Sequence, residues 1–305
     1  MLATEKAFSA SAVQSIEAVF AEHGNMFRLI KLENYKTREE LFNVASEADA
    51  MIVRSDKCDM EFFSRAKKLK LLVRGGAGVD TIDLELAKNN GVIVQNTPGM
   101  NSNAVAELVF GMLIFHIRSH FNGDVGSELR GKRLGLYGCG NVSKFVIQIA
   151  QGFGFKSIIA YDPFMGRAKI EELGINSVDT LDELFSASDI LSLHIPLTSE
   201  TKESINKKFL MKMPKNAILV NTARQEVINE ADLLEVLVQR KDFSYLADVQ
   251  PGNLQTIKDT LDKQVFVTPK KLGAQTIEAN NNCAPAAARQ IVAFFTKNEN
   301  KFQVN

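Results

Sequence analysis

The segment from Arg133 to Asp162 constrains the fold more than any other part of the chain. An apolar run, Leu134 to Tyr137, leads into Gly138-Cys139-Gly140. A helical pattern carried by Val142, Phe145, Val146, Ile149 and Ala150 follows, and a second apolar run, Ile158 to Tyr161, ends in Asp162. Strand, tight turn, helix, strand and acid are what a dinucleotide site requires. Gly138 allows the turn and Gly140 lets the backbone approach a pyrophosphate, while the N–H groups of the new helix attract its charge. Asp162, 22 residues after Gly140, is placed to accept hydrogen bonds from an adenosine ribose and to repel a 2′-phosphate, which favours NAD over NADP. Ser143 stands where the fingerprint has a third glycine, so slightly looser packing of helix on strand is expected. A purely structural strand–helix turn is the alternative reading.

At 305 residues the chain can form one large or two medium domains. Its 36 basic and 36 acidic residues cancel, so nothing points to a nucleic-acid or anionic-membrane partner. The apolar runs are far shorter than a membrane span and the N-terminus lacks a signal pattern, so a cytoplasmic protein is expected. Cys58, Cys139 and Cys283 are odd in number and widely spaced, which argues against a disulfide framework or a zinc cluster. Cys139 reads as a small space-filling residue of the turn rather than a redox-sensitive thiol. His116 and His120 have the spacing of two metal ligands, but no third ligand motif accompanies them, and a packed or interface helix is expected instead of a metal site. Lys207, Lys208, Lys212 and Lys215 read as a solvated helix face.

Before the glycine turn, apolar runs at Phe27–Leu32, Ala50–Arg54, Leu69–Arg74 and Val92–Gln95 read as strands, and helices start near Ala10, Thr37, Asp59 and Asp83. An opening strand has room only within Met1 to Glu5, stunted or incomplete. Asn96-Thr97-Pro98-Gly99 breaks the pattern, and a long apolar helix, capped by Asn101 or Ser102, runs to about Ser119. Further strands follow at Ile190–Leu193, Ala217–Asn221, Tyr245–Asp248 and Val265–Thr268, and a final helix spans about Thr276 to Phe295. The alternation predicts an α/β fold with two doubly wound parallel-sheet domains, Rossmann-like and flavodoxin-like. Residues 1–98 plus 276–305 form a discontinuous substrate-binding domain, residues 99–275 the NAD-binding domain, and a cleft between the two lobes is the expected ligand site.

The segments VRSDK (Val53 to Lys57), VRGGAGVDTIDL (Val73 to Leu84), NTPGMNSNAVAELVFGML (Asn96 to Leu113), YGCGNV, YDPF, HIPLTSET (His194 to Thr201) and NTAR (Asn221 to Arg224) together resemble the D-2-hydroxyacid dehydrogenases. The nearest branch is similar to short D-3-phosphoglycerate dehydrogenases without a C-terminal regulatory domain. The resemblance implies NAD-dependent oxidation of 3-phospho-D-glycerate to 3-phosphohydroxypyruvate, which begins serine synthesis, by a homodimer whose interface holds the long helix. A glyoxylate or hydroxypyruvate reductase is the rival within the enzyme class, and a non-catalytic NAD(H)-binding scaffold the rival outside it.

The chain departs from the family where the chemistry is done. The family's catalytic Glu sits in DVFxxEP; here the stretch reads ADVQPGNL (Ala247 to Leu254), with no Glu at the matching place. Its catalytic His sits in PHLGG or PHIGA; here the stretch reads TPKKLGAQT (Thr268 to Thr276), which sets Lys271 on the histidine position, with Lys270 the candidate if the register shifts by one. Gln225 replaces the glycine after Arg224. An imidazole base gains from a carboxylate that stabilises its charged form, whereas a lysine starts near pKa ~10.4 and must be lowered, which a partner carboxylate would oppose. Desolvation, a neighbouring arginine and the positive nicotinamide all act in the right direction, so losing Glu together with His is coherent. The alternative is a decayed site with Lys271 as a solvated loop residue. Arg224, Asp248 and the intact turn stand against it.

By the same resemblance Arg224 holds the substrate carboxylate and polarises the C2 oxygen, and Lys271 takes the hydroxyl proton. Asp248 binds the carboxamide; Gly138, Gly140, Asn141, Val142, Asp162, Pro163, His194, Pro196, Thr222, Ala223, Arg224, Gly273 and Ala274 line the dinucleotide, with Ala77 and Val105 by the nicotinamide. Arg54, Ser55, Arg74, Gly75, Asn101 and Ser102 are the candidates for substrate phosphate and carboxylate. Lys132 or Arg130 would reach the partner subunit's phosphate site.

Overall fold

The computed structural model describes residues 2–5, 7–252 and 263–305. The chain divides into two compact units, Met1–Asn101 with Gln275–Asn305, and Ser102–Ala274.

The first unit holds strands β1 (Leu2–Thr4), β2 (Lys31–Glu33), β3 (Ala50–Val53), β4 (Leu71–Arg74) and β5 (Ile93–Asn96), all parallel in the order β2-β1-β3-β4-β5. Helices α1 (Ala10–Ala21), α2 (Arg38–Ala45), α3 (Met60–Arg65), α4 (Leu84–Asn89) and the C-terminal helix Ile277–Lys297 cover its faces. Polar residues set the helix starts. Thr37 forms a capping box with Glu40, and Asp59 and Asp83 accept from Phe62 N and Leu86 N. Successive side chains of a strand go to opposite faces, so Ile52 packs with Ile16, Ala284 and Ala288, while Met51 and Val53 pack with Leu41, Phe42 and Phe62. Both faces being covered, β3 is apolar throughout. The strand order reverses between β1 and β3, and in such sheets ligands bind beyond the C-terminal ends at the reversal. Arg54 follows β3 there, and Arg74 ends the neighbouring strand in register with Val53.

The second unit holds β6 (Arg133–Tyr137), β7 (Ser157–Tyr161), β8 (Asn176–Ser177), β9 (Ile190–Leu193), β10 (Ile218–Asn221), β11 (Ser244–Ala247) and β12 (Val265–Val267), parallel in the order β12-β11-β10-β9-β6-β7-β8. Helices α5 (Ser102–Ile117) and α6 (Asn141–Gln151) pack Val109, Leu113, Val146 and Ala150 against Leu134, Leu136, Ala160 and Val220. Helices α7 (Arg167–Glu171), α8 (Leu181–Ala187), α9 (Lys207–Leu210) and α10 (Glu230–Gln239) follow. Leu184, Phe185, Leu210, Leu233 and Val236 of the last three meet Leu191, Leu193, Leu219 and Tyr245 on the other face. Here the order reverses between β6 and β9.

Two expectations change. Of Phe27–Leu32 only the end enters a strand, because Gly24–Met26 form a 3-10 turn and Phe27 stacks on Phe20, with ring centroids 5.3 Å apart, instead of joining the sheet. Helix α5 stops at Ile117, since Ser119, His120 and Phe121 take φ of 51°, 56° and 56°. The two-residue β8 at the sheet edge has no legible pattern. The lysine cluster is solvent-exposed as expected, Lys208, Lys212 and Lys215 being exposed and Lys207 half-buried, with surface ion pairs from Lys207 to Glu235 of α10 and from Lys212 to Asp182 of α8 at 2.6 Å. No helix among the described residues is long and apolar enough to cross a membrane.

Candidate active site

In the second unit the glycine turn lies just past β6, at the sheet's reversal. Gly138 has φ +91°, and a Cβ there would stand 2.8 Å from the His194 carbonyl oxygen, so only glycine fits. A Cβ on Gly140 would meet nothing within 4 Å, and Gly140 begins α6 without a side-chain cap, leaving the first-turn N–H groups facing open space. Asn141 is exposed and Val142 half-buried. Ser143 does not loosen the packing: it is fully buried and its hydroxyl donates to the Gly138 carbonyl at 2.6 Å, a bond that a third glycine could not make. Cys139 is buried, and burial, with Asp162 adding, pushes its thiol up to about 12, so it stays protonated.

Asp162 accepts from Cys139 N at 2.8 Å, from Phe164 N at 2.9 Å and from Met165 N at 3.1 Å. It therefore braces the turn. Pro163 beside it and Pro196 past β9 are exposed. His194 donates its N–H to Tyr137 O at 2.8 Å. Its Nε2 is shielded and unpartnered, and burial lowers its pKa to about 3, which keeps the ring neutral. The Thr222 hydroxyl is likewise buried without a partner. Orphaned polar atoms, an uncapped helix start and open space over Gly140 together fit a bound dinucleotide.

The ends of β10 and β11 carry the second cluster. Asn221, fully buried, accepts from Ala223 N (2.9 Å) and donates to Arg224 O (2.9 Å) and the Tyr245 hydroxyl (3.2 Å), which shapes the turn bearing Arg224. The half-buried Arg224 donates from Nη1 to Ala223 O at 2.8 Å. Asp248 is 1 % exposed and accepts from Leu272 N (2.7 Å), Gly273 N (2.7 Å) and the Thr268 hydroxyl (2.9 Å). Gln250 donates to Pro269 O at 2.7 Å. These two side chains hold the loop on which Lys270 and Lys271 sit; both are exposed, so the desolvation expected for Lys271 is not found in the chain by itself. A Cβ on Gly273 would lie 2.8 Å from Asp248 Oδ2 and 3.3 Å from Val105 Cγ2, so glycine lets the loop close on α5; Ala274 beyond it is half-buried. Asn253 and Leu254, which end the stretch where the family's Glu would fall, lie outside the described residues.

In the first unit Arg54 donates from Nη1 to Ala7 O at 2.8 Å and lies over the Phe8 ring at 4.7 Å, and Arg74 Nε donates to Arg54 O at 3.1 Å. Gly76, at φ +146°, makes room for the Arg74 guanidinium, which a Cβ would overlap. Burial lowers the Arg54 pKa below its ordinary value. Asp56, 1 % exposed, accepts from Arg54 N (2.8 Å), Glu5 N (2.8 Å) and the Tyr35 hydroxyl (2.7 Å), fixing the chain at the reversal. The Ser55 hydroxyl is shielded without a partner, and Gly75 N donates to Val53 O. Ala77 is exposed, its carbonyl taking Asn96 Nδ2 at 2.6 Å; Asn101 is half-buried and Ser102, opening α5 in the second unit, is buried. Arg130 is exposed and Lys132 half-buried. Asp56, Asn221, Thr268 and Gln250 were missed from sequence; their signal is a polar residue within two or three positions of a strand end.

His116 and His120 have ring centroids 5.8 Å apart, but His120 stacks on Phe115 at 4.7 Å, and burial, then His120, lowers the His116 pKa to about 4.

A seven-stranded doubly wound sheet with this turn, acid and uncapped helix at its reversal is a Rossmann-type nucleotide-binding unit. Residues 116–270 match the family described as D-isomer specific 2-hydroxyacid dehydrogenase, NAD binding domain; the chain belongs to that family and carries its NAD-binding domain. A D-3-phosphoglycerate dehydrogenase of Methanocaldococcus jannaschii is 36 % identical over 272 residues, covering 84 % of this chain and 51 % of the relative. A hydroxypyruvate reductase of Thermotoga maritima is 38 % identical over 260 residues, 79 % of this chain and 83 % of the relative. The chain thus spans about half the length of the first of these relatives. The crystal structure of an NAD⁺-bound 3-phosphoglycerate dehydrogenase from Entamoeba histolytica superposes with a TM-score of 0.92 at 41 % identity, covering 100 % of this chain and 98 % of that one.

Proposed function

We propose that the protein is an NAD-dependent dehydrogenase that oxidises 3-phospho-D-glycerate to 3-phosphohydroxypyruvate, the first step of phosphorylated serine biosynthesis, acting as a cytoplasmic homodimer. The observation that carries the substrate choice is the pair Arg54 and Arg74, set at the ends of adjacent strands and joined by the bond from Arg74 Nε to Arg54 O. Two guanidinium groups together suit a dianionic phosphate better than an uncharged hydroxymethyl group. The names of the Methanocaldococcus and Entamoeba relatives support the same substrate.

NAD, when bound, supplies the hydride acceptor. Arg224 binds the substrate carboxylate and polarises the C2 oxygen. The Lys271 amine takes the proton of the C2 hydroxyl as the alcohol becomes a carbonyl, with bound NAD as the group that would accept the C2 hydride. Asp248 and Gln250 keep the Lys271 loop in place.

The test is NAD reduction with 3-phosphoglycerate, glycerate and lactate across pH. Removing one charge-assisted phosphate contact in Arg54→Gln should cut kcat/KM on 3-phosphoglycerate roughly 10- to 100-fold and on glycerate less than about 3-fold. Equal losses would favour a hydroxypyruvate or glyoxylate reductase, the reading that the Thermotoga relative's name supports. Purified protein that binds NADH yet oxidises no hydroxyacid up to about pH 10 would be a non-catalytic NAD(H)-binding scaffold.

A further inference from the structure

Arg54 is seated on a neighbouring stretch of chain within the first unit. Its Nη1 donates to Ala7 O at 2.8 Å, and its guanidinium carbon stands 4.7 Å from the centroid of the Phe8 ring. Ala7 and Phe8 lie between β1 and α1, and β1 is the neighbour of β3 at the strand reversal. Phe8 is itself fixed. It is 6 % exposed, shares a core with Ile16, Val73 and Ala284, and its N–H donates to Glu33 Oε1 at 3.2 Å. The ring also reaches the end of β4. A Cβ on Gly75 would lie 2.9 Å from Phe8 Cζ, the far carbon of the ring, so the ring would have to shift. Gly75 has no positive φ, so the demand for glycine there is one of space. An arginine side chain loses much rotamer freedom when an anion orders it, and one already resting on an aromatic face and a carbonyl has less left to lose.

We infer that Phe8 is a positioning residue for the substrate phosphate: its ring, admitted by Gly75, presets the Arg54 guanidinium and so favours phosphorylated over unphosphorylated hydroxyacids without touching the reacting atoms. Gly75, expected from the sequence to meet substrate, acts here through the ring of Phe8. The inference rests on the reading of Arg54 as a phosphate ligand and deepens it.

Steady-state kinetics of the full chain on 3-phosphoglycerate and on glycerate test it, with Phe8→Leu, Gly75→Ala and the double variant beside the wild type. Phe8→Leu keeps an apolar side chain and removes the aromatic face. It should raise KM for 3-phosphoglycerate about 3- to 10-fold with kcat within about 2-fold, and lower kcat/KM for glycerate less than about 2-fold. Gly75→Ala, which displaces the ring, should raise the same KM to a similar extent alone, and by less than about 2-fold in the Phe8→Leu background, where there is no ring to displace. Ile16→Val, a truncation in the same core, should leave the preference between the two substrates unchanged, which separates positioning from general loosening. Should Phe8→Leu fail to fold, Phe8→Met takes its place in both the single and the double variant. Equal losses on the two substrates, an unchanged KM, or a Gly75→Ala effect that persists in the double variant would each overturn the inference. Arg54→Gln tells the two failures apart. If it spares the preference for 3-phosphoglycerate, the phosphate reading and this inference fall together; if it removes that preference while Phe8→Leu does not, the role of Phe8 alone falls.

Discussion

Replacing Asp248 by Asn changes one oxygen to an amide nitrogen and almost no volume, yet it strikes the carboxylate that ties the Lys271 loop to the sheet. Asp248 takes three donors, two backbone and one hydroxyl, at 2.7, 2.7 and 2.9 Å, and is 1 % exposed. Asn can keep its oxygen toward Thr268 and Leu272, but its NH₂ then faces the Gly273 N–H. One charge-assisted bond, about 1.5–3 kcal/mol, is lost, and two others fall to neutral strength, about 1 kcal/mol less each. The expected loss is about 3–5 kcal/mol, or roughly 6–20 °C in Tm at about 2–4 °C per kcal/mol. Thermal unfolding followed by circular dichroism measures it. In parallel, steady-state kinetics should show kcat falling more than NADH affinity, because the loop bearing Lys271 moves while the glycine turn does not. Thr268→Val, which removes one donor, should lose about 1 kcal/mol in the same assay. An Asp248→Asn protein that melts within about 2 °C of wild type, or melts early with kcat untouched, would refute the clamp.

Lys271→Ala should abolish oxidation while leaving NADH affinity within about 2-fold, and wild-type oxidation should rise toward alkaline pH; turnover retained in the variant removes Lys271 from the chemistry. Ser143→Ala breaks the buried 2.6 Å bond to Gly138 O and should cost about 1–2 kcal/mol in urea unfolding, against no change if the hydroxyl only fills space. Burial holds His116 at about 4 in the folded chain against 6.5 unfolded. The native state therefore binds fewer protons, and its contribution is complete above pH 6.5 and lost as pH falls toward 4, on the order of 2–3 kcal/mol. His116→Phe should flatten that decline in a pH series of unfolding curves, and an unaltered slope would assign it to other groups.

The glycine turn, the strand runs and the caps at Thr37, Asp59 and Asp83 were legible because each is written in adjacent residues. Propensity and period failed where a partner distant in sequence decides. Phe27 looks like strand until Phe20 is placed beside it, and the surface ion pairs of Lys207 and Lys212 are invisible until α10 and α8 bring Glu235 and Asp182. The supports of the candidate site share that difficulty. Asp248 and Gly273 are 25 positions apart, Asp56 and Glu5 51 apart, and no local pattern pairs them. Ser143 was misread because the fingerprint counts side-chain volume and ignores the carbonyl that a hydroxyl can reach.

The bond from Cys139 N to Asp162 has a bearing on coenzyme exchange. The acid expected to distinguish the two coenzymes is also a mechanical brace of the glycine turn. Trading it for a small or basic residue to welcome a phosphorylated ribose would release the amide of Cys139 and those of Phe164 and Met165 in the same stroke. A lineage or an engineer switching coenzymes would need a substitute acceptor in place first, so a single exchange should yield a slack loop before it yields a new preference.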